Sequence, residues 1–248
     1  MTGRARDRKV LIAITQAKLD SMEPTEVSRI VNVPGVDFLV IERDTSVDPP
    51  IFDAVREQYT LQTGSILIQS PFDTNCYYLD ETALHDIVIQ KTLHVAQVCT
   101  LLGATSVSVS QVSAELSERS RSASANLGME GLAAKLKGES SRVRELRRQI
   151  TLSEESVGGE PDIEGATSYV QEMRLGNDPV LTSLIRARGT RSNPLKSRKL
   201  TIDATREARS SIELAASLDV ESQLDIGSGL GRLVRDFDQV TVEYEIRF

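Results

Sequence analysis

The amino-acid sequence predicts an α+β protein: a large antiparallel sheet with long hairpins, supported by a few helices, behind an N-terminal mixed α/β subdomain. Three observations carry this expectation. Apolar residues recur at helical spacing from about Asp80 to Leu102. From Thr105 the apolar period changes from about 3.6 to about 2. Gly-Gly and Pro-containing breaks then separate further runs of either kind.

Each element follows in order. Val10–Ile14 and Phe38–Ile41 are short apolar runs suited to buried strands. Between them, Pro24-Thr25-Glu26 opens a short helix through Ile30. Asp48-Pro49-Pro50 pairs a capping Asp with first-turn Pro and leads into a helix over Ile51–Tyr59. Gly64–Ile68 reads as a strand, Pro71-Phe72-Asp73 as a turn and Cys76–Leu79 as the return strand. Leu84, Ile87, Val88, Val95, Val98 and Leu102 line one face of a long helix that Gly103 ends.

Val107 and Val109 alternate with serines, then the phase slips and Val112, Ala114 and Leu116 continue, the pattern of a β-bulge. Ala123, Ala125, Leu127 and Met129 extend the alternation, and a second slip leads to Leu132, Ala134 and Leu136. Gly138–Ser141 is a turn signal. Leu146, Ile150 and Leu152 form a returning strand, although Val143, Leu146 and Ile150 also fit a helix. After Val157–Asp162, either Glu160 or Asp162 caps a helix from Ile163 to about Met173, and a second runs over Pro179–Arg188. Three alternating runs follow: Leu200-Ile202-Ala204, Ile212-Leu214-Ala216-Leu218-Val220 and Val240-Val242-Tyr244-Ile246-Phe248. The organisation expected is a subdomain over 1–104 and long hairpins over 105–248, with a helical insert near 162–188.

Composition bounds the function. The net charge of −7 disfavours general nucleic-acid binding. Cys76 and Cys99 are too few for a disulfide framework, which fits a reducing compartment. The apolar run after the basic N-terminus stops at Thr15, short of the roughly 7–15 residues of an export signal, so a cytoplasmic chain is expected.

Standard catalytic motifs are missing, and the sequence is read as that of a non-enzyme without cofactor or metal. Gly227-Ser-Gly229-Leu-Gly231 lacks dinucleotide spacing and a following helix. His85 and His94 lie nine residues apart on one helix, hence on opposite sides, and are assigned structural roles. Glu154-Glu155 falls in a turn. Two basic segments suit anionic lipid or a phosphate-bearing ligand: Arg142, Arg144, Arg147 and Arg148, then Arg186, Arg188, Arg191, Lys196, Arg198 and Lys199. The same residues fit a solvated face paired with nearby carboxylates.

The alternation of 107–136, the break at Gly158-Gly159 and the runs from Leu200 to Phe248 together resemble the order of pore-forming proteins of the perforin/membrane-attack and gasdermin superfamily. That resemblance implies a self-assembling, homo-oligomeric protein, in specific form a bacterial defence-type effector that associates with membranes after a trigger. The runs 120–136 and 210–222 are long enough for membrane strands, which need about 9–11 residues. The alternative is a soluble module that binds a phosphate-bearing ligand or partner through the two Arg-rich segments.

Overall fold

The structure is a computed structural model that describes residues 9–42, 50–116, 148, 150, 152–190, 195–218 and 237–248. The chain is α+β, with helices and two four-stranded sheets. It forms two compact units, Met1–Leu84 with Ala208–Arg235 and His85–Glu207 with Asp236–Phe248.

The first unit holds a sheet of order β2-β1-β3-β4, built from β1 (Val10–Ile14), β2 (Val36–Val40), β3 (Ile66–Gln69) and β4 (Tyr77–Leu79). Every residue of β1 is fully buried, as its unbroken apolar run requires of a central strand. β1 runs parallel to β2 and antiparallel to β3, and β3 is antiparallel to β4. The parallel step needs a crossover, supplied by α1 (Gln16–Ser21) and α2 (Pro24–Val31). Pro24 occupies the first turn of α2, where its missing N–H costs nothing. Phe52 and Val55 of α3 (Pro50–Gln58) pack with Leu11, Ala13, Leu39, Leu67 and Tyr77.

One expectation fails in this unit. The run Ile212–Val220, read as a strand, is helical as far as Ser217, in a helix Arg209–Ser217 that packs on β1 and β3. Ala208, Ile212, Ala215 and Leu218 are the buried apolar positions in and beside it, spaced by three or four residues. Glu213, Leu214 and Ala215 are sound helix formers, and the helical stripe prevails over the period-two one.

The helix α4 (Asp80–Leu101) is 22 residues long, and its predicted stripe is buried from Leu84 to Leu102. Gly103 ends it at φ +77, where a Cβ would collide with the carbonyl oxygen of Gly159. The second unit's sheet has the order β6-β5-β8-β7 and is antiparallel throughout. Its strands are β5 (Ser106–Leu116), β6 (Ser153–Glu155), β7 (Ser197–Asp203) and β8 (Phe237–Arg247). The register of β5 on β8 shifts between Val109 and Gln111, where the sequence pattern slips.

One sheet face is apolar: Val107, Val112, Leu200, Ile202, Val240, Val242, Tyr244 and Ile246 are buried there. Tyr244 ties this face to α4 by donating to Thr92 Oγ1 at 3.1 Å, and Thr92 in turn donates to Val88 O at 2.9 Å. The opposite face is polar, with rows such as Ser106–Arg247–Ser197 and Ser108–Glu245–Lys199.

Two helices complete the unit, α5 (Ile163–Glu172) and α6 (Pro179–Arg188). Of the two candidate caps for α5, Asp162 fills the role through Gly165 N–H, and Asp178 caps α6 through Val180 and Leu181 N–H. The strand that pairs with β5 is Ser153–Glu155, so Glu154-Glu155 belongs to it rather than to a turn; of the run read as the return, Ile150 and Leu152 precede that strand and Leu146 lies outside the described residues. β5 supplies the pairing that two glutamates would not favour alone. The alternating positions 123–136, the turn 138–141, Leu224–Gly231, Val220 and the Asp48-Pro49 cap lie outside the described residues.

Candidate functional site

Six of the ten predicted basic residues are described. Arg142, Arg144, Arg147 and Arg191 lie outside the described residues, and Arg148, Arg186 and Lys196 are exposed. Arg188 is engaged internally: its Nε donates to Leu102 O at 3.0 Å and its Nη1 to Leu195 O at 3.1 Å. Its guanidinium also sits 4.4 Å from the centre of the Phe248 ring. Arg198 and Lys199 stand together on β7, Arg198 reaching Ser183 Oγ at 3.5 Å and Lys199 pairing with Glu245 at 2.5 Å. The hydrogen bond to Glu245, then its charge, raises the Lys199 ammonium pKa, and the same bond lowers that of the Glu245 carboxyl.

His94 Nδ1 is 2.8 Å from Tyr169 Oη, and burial lowers its pKa. Burial first, then the nearby Glu154 carboxylate, pushes the Cys99 thiol up to about 12, far from a reactive thiolate at neutral pH. Among the described residues no group of three His, Cys, Asp or Glu side chains is placed to hold a metal ion.

The sequence reading missed a buried ion cluster. Lys91 is fully buried, and its Nζ donates to Asp178 Oδ2 at 2.9 Å, Glu207 Oε2 at 2.6 Å and Asp203 O at 2.7 Å. Three acceptors match the three donors of an ammonium, so the burial is compensated. Asp178 serves twice, because its Oδ1 caps α6 while its Oδ2 holds Lys91. A signal was present: Leu84, Val88, Val95, Val98 and Leu102 follow alternating steps of four and three through position 91. A lysine there sits in the apolar seam and needs buried partners. Those partners lie roughly 90 to 115 residues away in the chain, which a sequence pattern does not connect.

The hydrogen-bond parity of the outer strands defines the two edges of this sheet. Phe248 N–H donates to Lys196 O and Ala204 N–H to Val240 O. With the register between them unbroken, Arg198, Leu200 and Ile202 exchange bonds with β8. The N–H and C=O groups of Ser197, Lys199 and Thr201 therefore point away from the sheet, and all three residues are exposed. Asp203 shares this outward direction, but Lys91 takes its carbonyl.

On the far side, Val109 N–H donates to Leu152 O and Ser156 N–H to Thr105 O. Glu154 therefore bonds β5, whereas Ser153 and Glu155 direct their backbone groups outward, and the whole of β6 is exposed. One edge is thus basic and the other acidic. Among the described residues no helix is long and apolar enough to cross a membrane. Comparison of the chain with protein-family models, curated proteins and solved structures gives no match.

Proposed function

We propose that this chain is a non-catalytic interaction protein that self-assembles through the edges of its second sheet. The observation that supports this reading is β7. Ser197, Lys199 and Thr201 present backbone donors and acceptors to solvent, and no described residue meets them. Such a row is a template for an incoming strand, and proteins that do not use an edge cover it, shorten it or place charges along it.

The magnitude argues for conditional assembly. Four backbone hydrogen bonds contribute about 2–6 kcal/mol net, at roughly 0.5–1.5 kcal/mol each. Immobilising a second molecule costs about 4–15 kcal/mol. A single edge contact is therefore weak, and stable assembly needs high local concentration, ring closure or a templating surface. The narrower form of the proposal is a defence-type effector that perturbs membranes once oligomerised, with an anionic bilayer as the concentrating surface.

Mass photometry and sedimentation velocity across a broad concentration series, with and without anionic liposomes, test the reading. The expected result is a mass that grows with concentration and grows further on the liposomes. A strict monomer under every condition overturns it. Dye release from the same liposomes tests the narrower form, and assembly without leakage removes that form alone.

A further inference from the structure

From the charges and parity of the two edges, we infer that β7 of one copy pairs with β6 of the next, giving head-to-tail rather than two-fold assembly. This inference rests on the self-assembly reading above and adds the partner strand, its direction and its register.

Direction comes from topology. The sheet has four strands, each antiparallel to its neighbour, so its two outer strands run in opposite directions. A second copy set beside the first in the same orientation therefore meets β7 with an antiparallel β6, and the alternation continues across the junction. No strand reverses.

Register comes from the rows already present. Glu155, Ser106, Arg247 and Ser197 lie in one cross-strand row. Glu154, Val107, Ile246 and Arg198 form the next, and Ser153, Ser108, Glu245 and Lys199 the third. Continuing each row straight into the neighbouring copy sets Ser197 opposite Glu155, Arg198 opposite Glu154 and Lys199 opposite Ser153. The outward-facing residues of β7 then meet those of β6, so Ser197 with Glu155 and Lys199 with Ser153 are hydrogen-bonding pairs. A shift by one residue in either direction sets outward groups against groups already bonded inside each sheet.

Charge selects this pairing over the alternatives. Arg198 faces Glu154 directly, and Lys199 lies diagonal to Glu155 on the polar face. The Lys199 side chain is 79% exposed beside Glu245. Two β7 edges would instead set Arg198 and Lys199 against their own copies, and two β6 edges would oppose glutamates, both unfavourable. A contact between two different surfaces of one chain propagates to a ring or to an open filament, according to the rotation per step.

The test uses two single-edge variants of the full chain, Arg198→Glu and Glu154→Arg. Each sets like charges against one another at the 198–154 pair and should assemble at least about tenfold more weakly than wild type, reading as a monomer where wild type is polymeric. Mixed one to one, they should co-assemble, since the carboxylate at position 198 of one meets the guanidinium at position 154 of the other. Single variants that assemble as wild type does, or a mixture that stays monomeric, overturn the pairing and leave edge assembly itself standing. A wild-type chain that never assembles overturns both. Circular dichroism reports whether each variant folds. Should one misfold, Glu154→Cys/Arg198→Cys in a Cys76→Ser background decides. The row register places those positions within disulfide reach in successive copies, so oxidation yields a ladder of covalent multimers; no ladder refutes the register.

Discussion

Replacing Lys91 by Met removes the ammonium from the buried cluster while keeping most of the stem volume. The partners left behind decide the magnitude. Asp178 is 2% exposed and Glu207 12% exposed at the side chain, and both stay where they are with the Asp203 carbonyl beside them. Asp178 keeps two backbone donors from α6, whereas Glu207 loses its short 2.6 Å bond. Removing one member of a buried ion pair and leaving the other costs about 3–5 kcal/mol. At roughly 2–4 °C per kcal/mol for a chain of this size, the melting temperature should fall by roughly 6–20 °C.

The assay is thermal and urea unfolding, with a second variant that adds Asp178→Asn and Glu207→Gln to Lys91→Met. That variant removes the orphaned charges and should recover part of the loss, because the penalty lies in the carboxylates left unpaired rather than in the missing lysine. A Lys91→Met protein that melts within about 2 °C of wild type would refute the reasoning. Full loss retained in the second variant would shift the cost to packing.

The remaining expectations need one comparison each. Gly103→Ala should destabilise by about 1–3 kcal/mol, since φ is +77 and the Cβ strikes Gly159, whereas Gly159→Ala, with nothing within 4 Å, should be near neutral by urea titration. His94 has its pKa lowered by burial, so below about pH 6.5 the unfolded chain takes up the proton first and stability falls as pH drops through that window. A His94→Gln variant should lack this component, and identical pH–stability curves for the two proteins would refute it. Cys99, buried with its thiol pushed up to about 12, should resist iodoacetamide at pH 8 in the native state and react only on unfolding, read by mass spectrometry.

Local signals and tertiary ones divided sharply in this chain. The α4 stripe, its Gly103 stop, the Asp178-Pro179 helix start and the bulge after Val109 are written in neighbouring residues, and each was legible. Ile212–Val220 was misread because its residues satisfy both periods, and only the burial of Ala208, Ile212 and Ala215 shows which one the core used. Glu154-Glu155 was misread for the opposite reason: a three-residue strand exists because β5 offers it a ladder, with no propensity of its own to announce it. The edges themselves were invisible, since strand order and hydrogen-bond parity depend on pairings across roughly 50 residues between β6 and β5 and 40 to 50 between β8 and β7.

The buried cluster and the exposed edge meet at Asp203. Parity turns its carbonyl outward with those of Ser197, Lys199 and Thr201, so β7 would otherwise present four residues to an incoming strand. Lys91 takes that carbonyl, and Asp203 Oδ1 accepts from the N–H and hydroxyl of Thr205, which turns the chain away. The usable edge is thereby cut to the segment that carries Arg198 and Lys199, opposite the three exposed residues of β6. A short edge marked by charge discriminates between partners better than a long neutral one, because each mismatched charge weighs against few hydrogen bonds. The lysine that stabilises the second unit therefore also limits what that unit can pair with.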